Sequence, residues 1–97
     1  MENIKVTASG LIVAIDHFNK KDSDESVTIL SILITDRVKA DIVKFVGTFN
    51  ESDINVVADE LSKNFLNCDL LGTYNTKYVT YDYLIIPDLK IELKKVV

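Results

Sequence analysis

Asn50-Glu51-Ser52-Asp53-Ile54-Asn55-Val56-Val57-Ala58-Asp59-Glu60-Leu61-Ser62-Lys63-Asn64-Phe65-Leu66-Asn67 is the one stretch of this chain that reads plainly as an α-helix. Ile54, Val57, Ala58, Leu61 and Phe65 fall at i, i+3, i+4, i+7 and i+11, one stripe of a 3.6-residue repeat, while Asp59, Glu60, Ser62, Lys63 and Asn64 fall off it. Asn50 is suited to cap free backbone N–H groups, and Glu51 and Asp53 bring negative charge to the first turn. Phe49 is placed to staple onto Ile54, and Asn67 tolerates the left-handed backbone that closes a helix. The segments on either side read as strand.

The 97 residues suffice for one domain with a modest core. At 47% hydrophobic and 27% charged residues the chain is globular in composition, not disordered. Its apolar runs are only a few residues long, far short of the ~20 that span a bilayer. Residues 1–10 carry Glu2 and Lys5 without a long apolar centre, so no secretory signal is expected. A single cysteine, Cys68, cannot form an internal disulfide; it reads as a small buried hydrophobe and points to a reducing cytoplasm. A net charge of −4 argues against coating duplex DNA by charge alone, though it leaves room for a local basic groove. Lysine far outnumbers arginine, Arg37 being the only one, a bias found in AT-rich bacterial and viral genomes.

Residues 3–18 read as a long first strand. Ile4, Val6 and Ala8 alternate on even positions, whereas Leu11, Val13 and Ile15 alternate on odd ones after Ser9-Gly10. A change of phase at a glycine predicts a bulge or bend there, and a strand so bent can serve two sheets. Residues 19–26 form a polar turn; Asp22, Asp24 and Glu25 lack the ligand spacing and glycine of a calcium loop. Val27 to Thr35 is nearly continuous in Val, Ile and Leu, which predicts a strand covered on both faces for part of its length. After a tight turn at Asp36-Arg37, Val38 to Thr48 is a third strand whose apolar residues keep no single parity. Beyond the helix, Asp69 to Thr80 predicts a fourth strand and Tyr81 to Leu93 a fifth. Pro87 marks an edge or bulge within the fifth.

Three strands, a helix and two strands, with a bent glycine-bearing first strand, resemble the OB-fold over nearly the whole chain. The resemblance implies one mainly β domain, residues 1–97, built as a five-stranded Greek-key barrel with one helix between the third and fourth strands. Leu70-Leu71-Gly72-Thr73-Tyr74-Asn75-Thr76-Lys77-Tyr78 and Tyr83 to Leu93 look like the closing strands of single-stranded DNA-binding proteins. Bacterial members carry a flexible acidic tail, whereas this chain ends Lys94-Lys95-Val96-Val97 and has no tryptophan for stacking. The resemblance therefore implies a cytoplasmic accessory protein in DNA replication or recombination of a phage or mobile element.

Such folds bind single strands across strands two and three, between the loops joining strands one to two and four to five. Those regions hold Phe18, Lys20 and Lys21 beside His17 on one side, and Tyr74, Lys77, Tyr78 and Tyr81 on the other, with Arg37, Lys39, Lys44 and Phe45 between. Aromatic faces stack on bases at ~1–3 kcal/mol each, and lysines follow phosphates. Tyrosines at alternate spacing equally serve as core or rim, and lysines equally solvate a face. The second reading is an OB-like protein-interaction module, an accessory subunit or inhibitor that pairs through a strand edge. Convergent lysines favour nucleic acid; scattered lysines and an open apolar patch favour protein. Homo-oligomerisation fits both readings.

Catalysis is not expected. His17, the only histidine, neighbours Asp16 on a strand, so the two side chains point to opposite faces and form no ready general-base dyad. The sequence presents no phosphate loop, nucleophile signature, metal-ligand cluster or cofactor motif.

Overall fold

Alternating apolar residues set six strands: Ile4–Asn19 (β1), Ser26–Ile34 (β2), Asp41–Gly47 (β3), Leu66–Asn75 (β4), Tyr78–Ile86 (β5) and Ile91–Lys94 (β6). One helix, Glu51–Leu61 (α1), separates β3 from β4. The computed structural model describes residues 4–19, 26–39, 41–47, 49–75 and 77–95. Lys20, Lys21 and the acidic stretch of Asp22, Asp24 and Glu25 lie outside them. The strands form a single antiparallel sheet in the order β3-β2-β1-β4-β5-β6.

The mainly β class with one helix is as expected, but the five-stranded closed barrel is not what forms. There are six strands, and the sheet is open between β3 and β6. Pro87 is the cause of the extra strand. It cannot donate to a ladder, so the predicted strand from Tyr81 to Leu93 breaks into a 3-10 turn at Pro87–Leu89. Lys90 then adopts a left-handed φ of 56°, and the chain reverses so that Ile91 pairs with Ile86.

The 16-residue β1 would run about 50 Å if straight at ~3.3 Å per residue. The molecule measures 38 Å along its longest axis, and β1 carries a bulge-type register slip, which bends a strand. Residues Ile4 to Ile12 pair with β4, and Gly10 to Asn19 pair with β2, so one strand serves both halves of the sheet. The register against β2 slips between Ile12 and Ala14, three residues beyond the Ser9-Gly10 step where the sequence pattern changes phase. Gly10 has a different task. A Cβ there would come within 2.7 Å of both Ile32 Cγ2 and the Leu33 carbonyl oxygen, so only glycine lets the two strands lie this close.

The inner face of the sheet is the core. Ile12, Leu30, Ile32, Leu70, Leu84 and Ile86 are fully buried, each contributing roughly 1.5–3 kcal/mol of hydrophobic stabilisation. Phe45 joins them and stacks on Phe49, with ring centroids 6.4 Å apart. α1 turns Ile54 and Val57 inward over an apolar crevice lined also by Ile15, Leu30 and Phe49. Asn50 caps it, its side-chain oxygen accepting the Asp53 N–H at 2.8 Å.

The helix ends at Leu61, short of the predicted Asn67, and Phe65 stands 60% exposed. Period-two burial overrides period 3.6 here. Leu66, Cys68 and Leu70 are all buried, and Leu66 pairs with Ile12 at the start of β4.

Though open, the sheet curls until its two sides meet. Arg37, in the turn after β2, donates from Nη2 to the Tyr81 hydroxyl of β5 at 2.9 Å. On the same seam, a Cβ placed on Gly47 would lie 3.3 Å from the Lys94 carbonyl oxygen.

Candidate nucleic-acid interface

The structure distributes the sequence-predicted residues unevenly. Phe45 and Tyr81 are corrected: at 2% and 9% exposure their rings belong to the core and present no face to a base. Phe18, half exposed, sits near the far end of β1, where it pairs with Val27. Tyr74 and Tyr78, both exposed, flank the β4–β5 turn with exposed Lys77. Because Tyr74 pairs with Ile4, this turn lies beside the start of β1, at the opposite end of that strand from Phe18. Arg37 and Lys39 lie exposed in the turn between β2 and β3. Lys44 projects from β3 and donates to Ser31 Oγ at 2.6 Å.

A site the sequence did not mark lies on the outer face of β4, β5 and β6. Its origin is a register slip: Leu71 pairs with Tyr83 but Gly72 pairs with Tyr81, leaving Asp82 as an extra residue in β5. Tyr81 and Tyr83 share parity in sequence, yet the bulge sends the first into the core and leaves the second 38% exposed. Tyr83 pairs with Lys94 of β6, whose Nζ lies 6.0 Å from the centre of the Tyr83 ring, within cation–π range.

Three depressions adjoin along this surface. One of about 140 Å³ lies on the seam between Lys44 and Phe45 of β3 and Tyr81 of β5, and it shares Thr80 and Lys95 with the next. That second depression, about 320 Å³, adds Lys94 and shares Asp82 and Tyr83 with a third. The third, about 290 Å³, extends across Leu71 and Thr73 to Lys5 and Thr7 of β1. The result is a shallow track bearing Lys44, Lys95, Lys94 and Lys5, with Tyr83 exposed along it; Asp82 is the one carboxylate among the described residues that line it, and Asp69 and Glu92 stand on the same face two residues further along β4 and β6. Gly72 opposite two closely spaced tyrosines was the available sequence signal, since a glycine in a strand marks a bulge.

The outer face of β1, β2 and β3 is different in kind. Leu33 pairs with Ile42 and Ile29 with Val46, and these side chains alternate with the buried Leu30, Ile32 and Phe45. Ile42 is 51% exposed and Val46 36%. This is the face on which sequence reasoning placed a basic groove; on β2, β3 and the part of β1 that pairs with β2 it is largely apolar, and Lys44 is the one cation among the described residues there.

His17 and Cys68 are each engaged in the fold. His17 Nδ1 hydrogen-bonds the buried Thr28 hydroxyl at 2.9 Å. Cys68 is buried in β4, and burial, followed by the neighbouring Asp69 carboxylate, pushes its thiol up to about 12. Among the described residues no three His, Cys, Asp or Glu side chains gather to hold a metal. No helix among them is long and apolar enough to cross a membrane. No protein-family model, curated protein or solved structure matches the chain.

Proposed function

We propose that this protein binds single-stranded DNA, as an accessory of replication or recombination in a phage or mobile element. The observation that carries the reading is the track of four lysines beside an exposed tyrosine on a protein whose net charge is −4. Cations gathered against the overall charge are the footprint of a polyanion site, and a ring edged by ammonium groups suits a base flanked by phosphates. The depressions are shallow and continuous, which fits a flexible single strand and not a rigid duplex. Assignment to the OB-fold family belongs to the same proposal. The order of three strands, a helix and two strands supports it, and β6 is then an addition hairpinned onto β5. On this reading the strand passes over β4, β5 and β6 and not over β2 and β3, because the latter face is apolar.

Anisotropy of a labelled poly-dT oligonucleotide, titrated at low and at raised salt, tests the proposal. Micromolar or tighter binding is expected, with log K falling against log salt by about 0.7 per phosphate contact, or about 3 if all four lysines engage. Absence of binding at low salt overturns it. A poly-rU titration run alongside separates DNA from RNA preference. The alternative, a protein-interaction module without nucleic-acid binding, is favoured by one observation, the open apolar face of β1, β2 and β3.

A further inference from the structure

A β-sheet with one face in the core ordinarily turns polar residues outward. Here the outward residues of β2 are Val27, Ile29, Ser31 and Leu33, and β3 adds Ile42 and Val46. Strand β1 contributes Phe18 to the same side, in register with Val27. Ile42, Phe18 and Val46 are exposed, at 51%, 48% and 36%. A contiguous apolar surface of this kind on a small protein is an interaction surface.

The charges on this face say what covers it. On β2, β3 and the part of β1 that pairs with β2, the described residues of this face carry one carboxylate, Asp16, and one ammonium, Lys44, on the two strands that flank β2; Lys5 lies on the part of β1 that pairs with β4. That part of the face is thus neutral on a chain whose net charge is −4. Asp16 pairs with Ile29, and Ile29 with Val46, two residues along β3 from Lys44. Consider a second copy packed face to face about a two-fold axis parallel to β2. That operation lays β1 of one copy against β3 of the other, bringing each Asp16 within a lysine side chain's reach of the opposite Lys44. The surface is therefore complementary to itself in charge as well as in hydrophobicity, as an isologous interface requires. A sheet face of this width also suits stacking of two sheets at ~10 Å.

We infer that the protein forms a two-fold dimer through the outer faces of β1, β2 and β3, with Asp16 of each copy opposite Lys44 of the other. The dimer takes Lys44 of the track into the interface and leaves Tyr83, Lys94 and Lys95 outside it. Its test does not depend on nucleic-acid binding.

Sedimentation equilibrium of the full chain at tens of micromolar is expected to give twice the 10.9 kDa chain mass. Ile42→Glu, at an already exposed position, is expected to yield a monomer with an unchanged circular dichroism spectrum. Asp16→Lys and Lys44→Asp, each placing like charges opposite one another, are expected to weaken the dimer by about tenfold or more. The double reversal Asp16→Lys/Lys44→Asp restores it, and that recovery excludes misfolding as the cause of the single losses. A wild-type monomer at these concentrations overturns the inference and leaves the face to a different protein. A dimer indifferent to Ile42→Glu and to both reversals also overturns it, since the interface then lies elsewhere.

Discussion

The Arg37 guanidinium donates a 2.9 Å hydrogen bond to the Tyr81 hydroxyl, 44 positions further along the chain, tying the turn after β2 to β5 across the open side of the sheet. Tyr81 is 9% exposed, so its ring is core and its hydroxyl is the polar rim of that core. Tyr81→Phe keeps the ring and removes the bond, and exposed Arg37 returns to water. The expected loss is about 1 kcal/mol. Arg37→Ala added to Tyr81→Phe is expected to cost little more, because both changes remove the same bond. Urea unfolding of the two single variants and the double variant checks this; full additivity would contradict it.

Tyr83 separates stacking from packing. Tyr83→Ala is expected to lower poly-dT affinity by ~1–3 kcal/mol while Tyr83→Phe leaves it nearly unchanged, since the ring face and not the hydroxyl meets a base. Tyr78→Ala and Lys77→Ala, at the β4–β5 turn, serve as the comparison. If they cost more than Tyr83→Ala, the strand follows the turn and not the bulge.

The Cys68 thiol, pushed from its usual 9.0 up to about 12, makes the protein sensitive to alkali. Below the lower value the thiol stays protonated in folded and unfolded chains alike, and its contribution does not change with pH. Between the two values the unfolded chain releases the proton and the folded chain keeps it. Stability therefore falls as pH rises through that window. Melting temperatures of the wild type and Cys68→Ala from about pH 8 to about pH 11 are expected to show a steeper decline for the wild type. Parallel curves would remove the effect. Thiol reagents near neutral pH are expected to label Cys68 only as the chain unfolds.

Asn50 holds the first turn of α1 through the Asp53 amide, and its side-chain nitrogen donates to the Asp53 carboxylate at 2.8 Å. Asn50→Ala is expected to cost about 1 kcal/mol, and Asn50→Asp much less, because the capping oxygen is kept. Thermal unfolding of the two variants measures the difference.

Strand content, one capped helix and an irregularity in the first strand were legible in residue spacing, whereas the two sheets expected to share that strand are one sheet. Local signals carried those features: alternation in β1 and β2, and Asn50 ahead of the Ile54 stripe. The misplacements arose where a single residue changes the phase. Val13 takes the slip expected at Gly10, because β2 fixes the register and Gly10 is held for close approach. Pro87 acts as a reversal and not as an edge, creating β6. Asp82 splits Tyr81 from Tyr83, and with them the core from the candidate site. Each of these depends on the partner strand, which parity along one strand does not contain.

The strand order carries a kinetic consequence. Pairings β1–β2, β2–β3, β4–β5 and β5–β6 all join neighbours in the chain, whereas β1–β4 alone reaches far, as in Ser9 Oγ donating to Asp69 Oδ1 across 60 positions. Two three-stranded meanders are thus local units that assemble early, and the slow event is the encounter that docks one on the other through β1. Leu70→Ala, buried in β4 opposite Ala8, should then slow refolding in a stopped-flow experiment, whereas Leu93→Ala on β6 should chiefly hasten unfolding. The bend in one strand is where the two meanders become a single cooperative molecule.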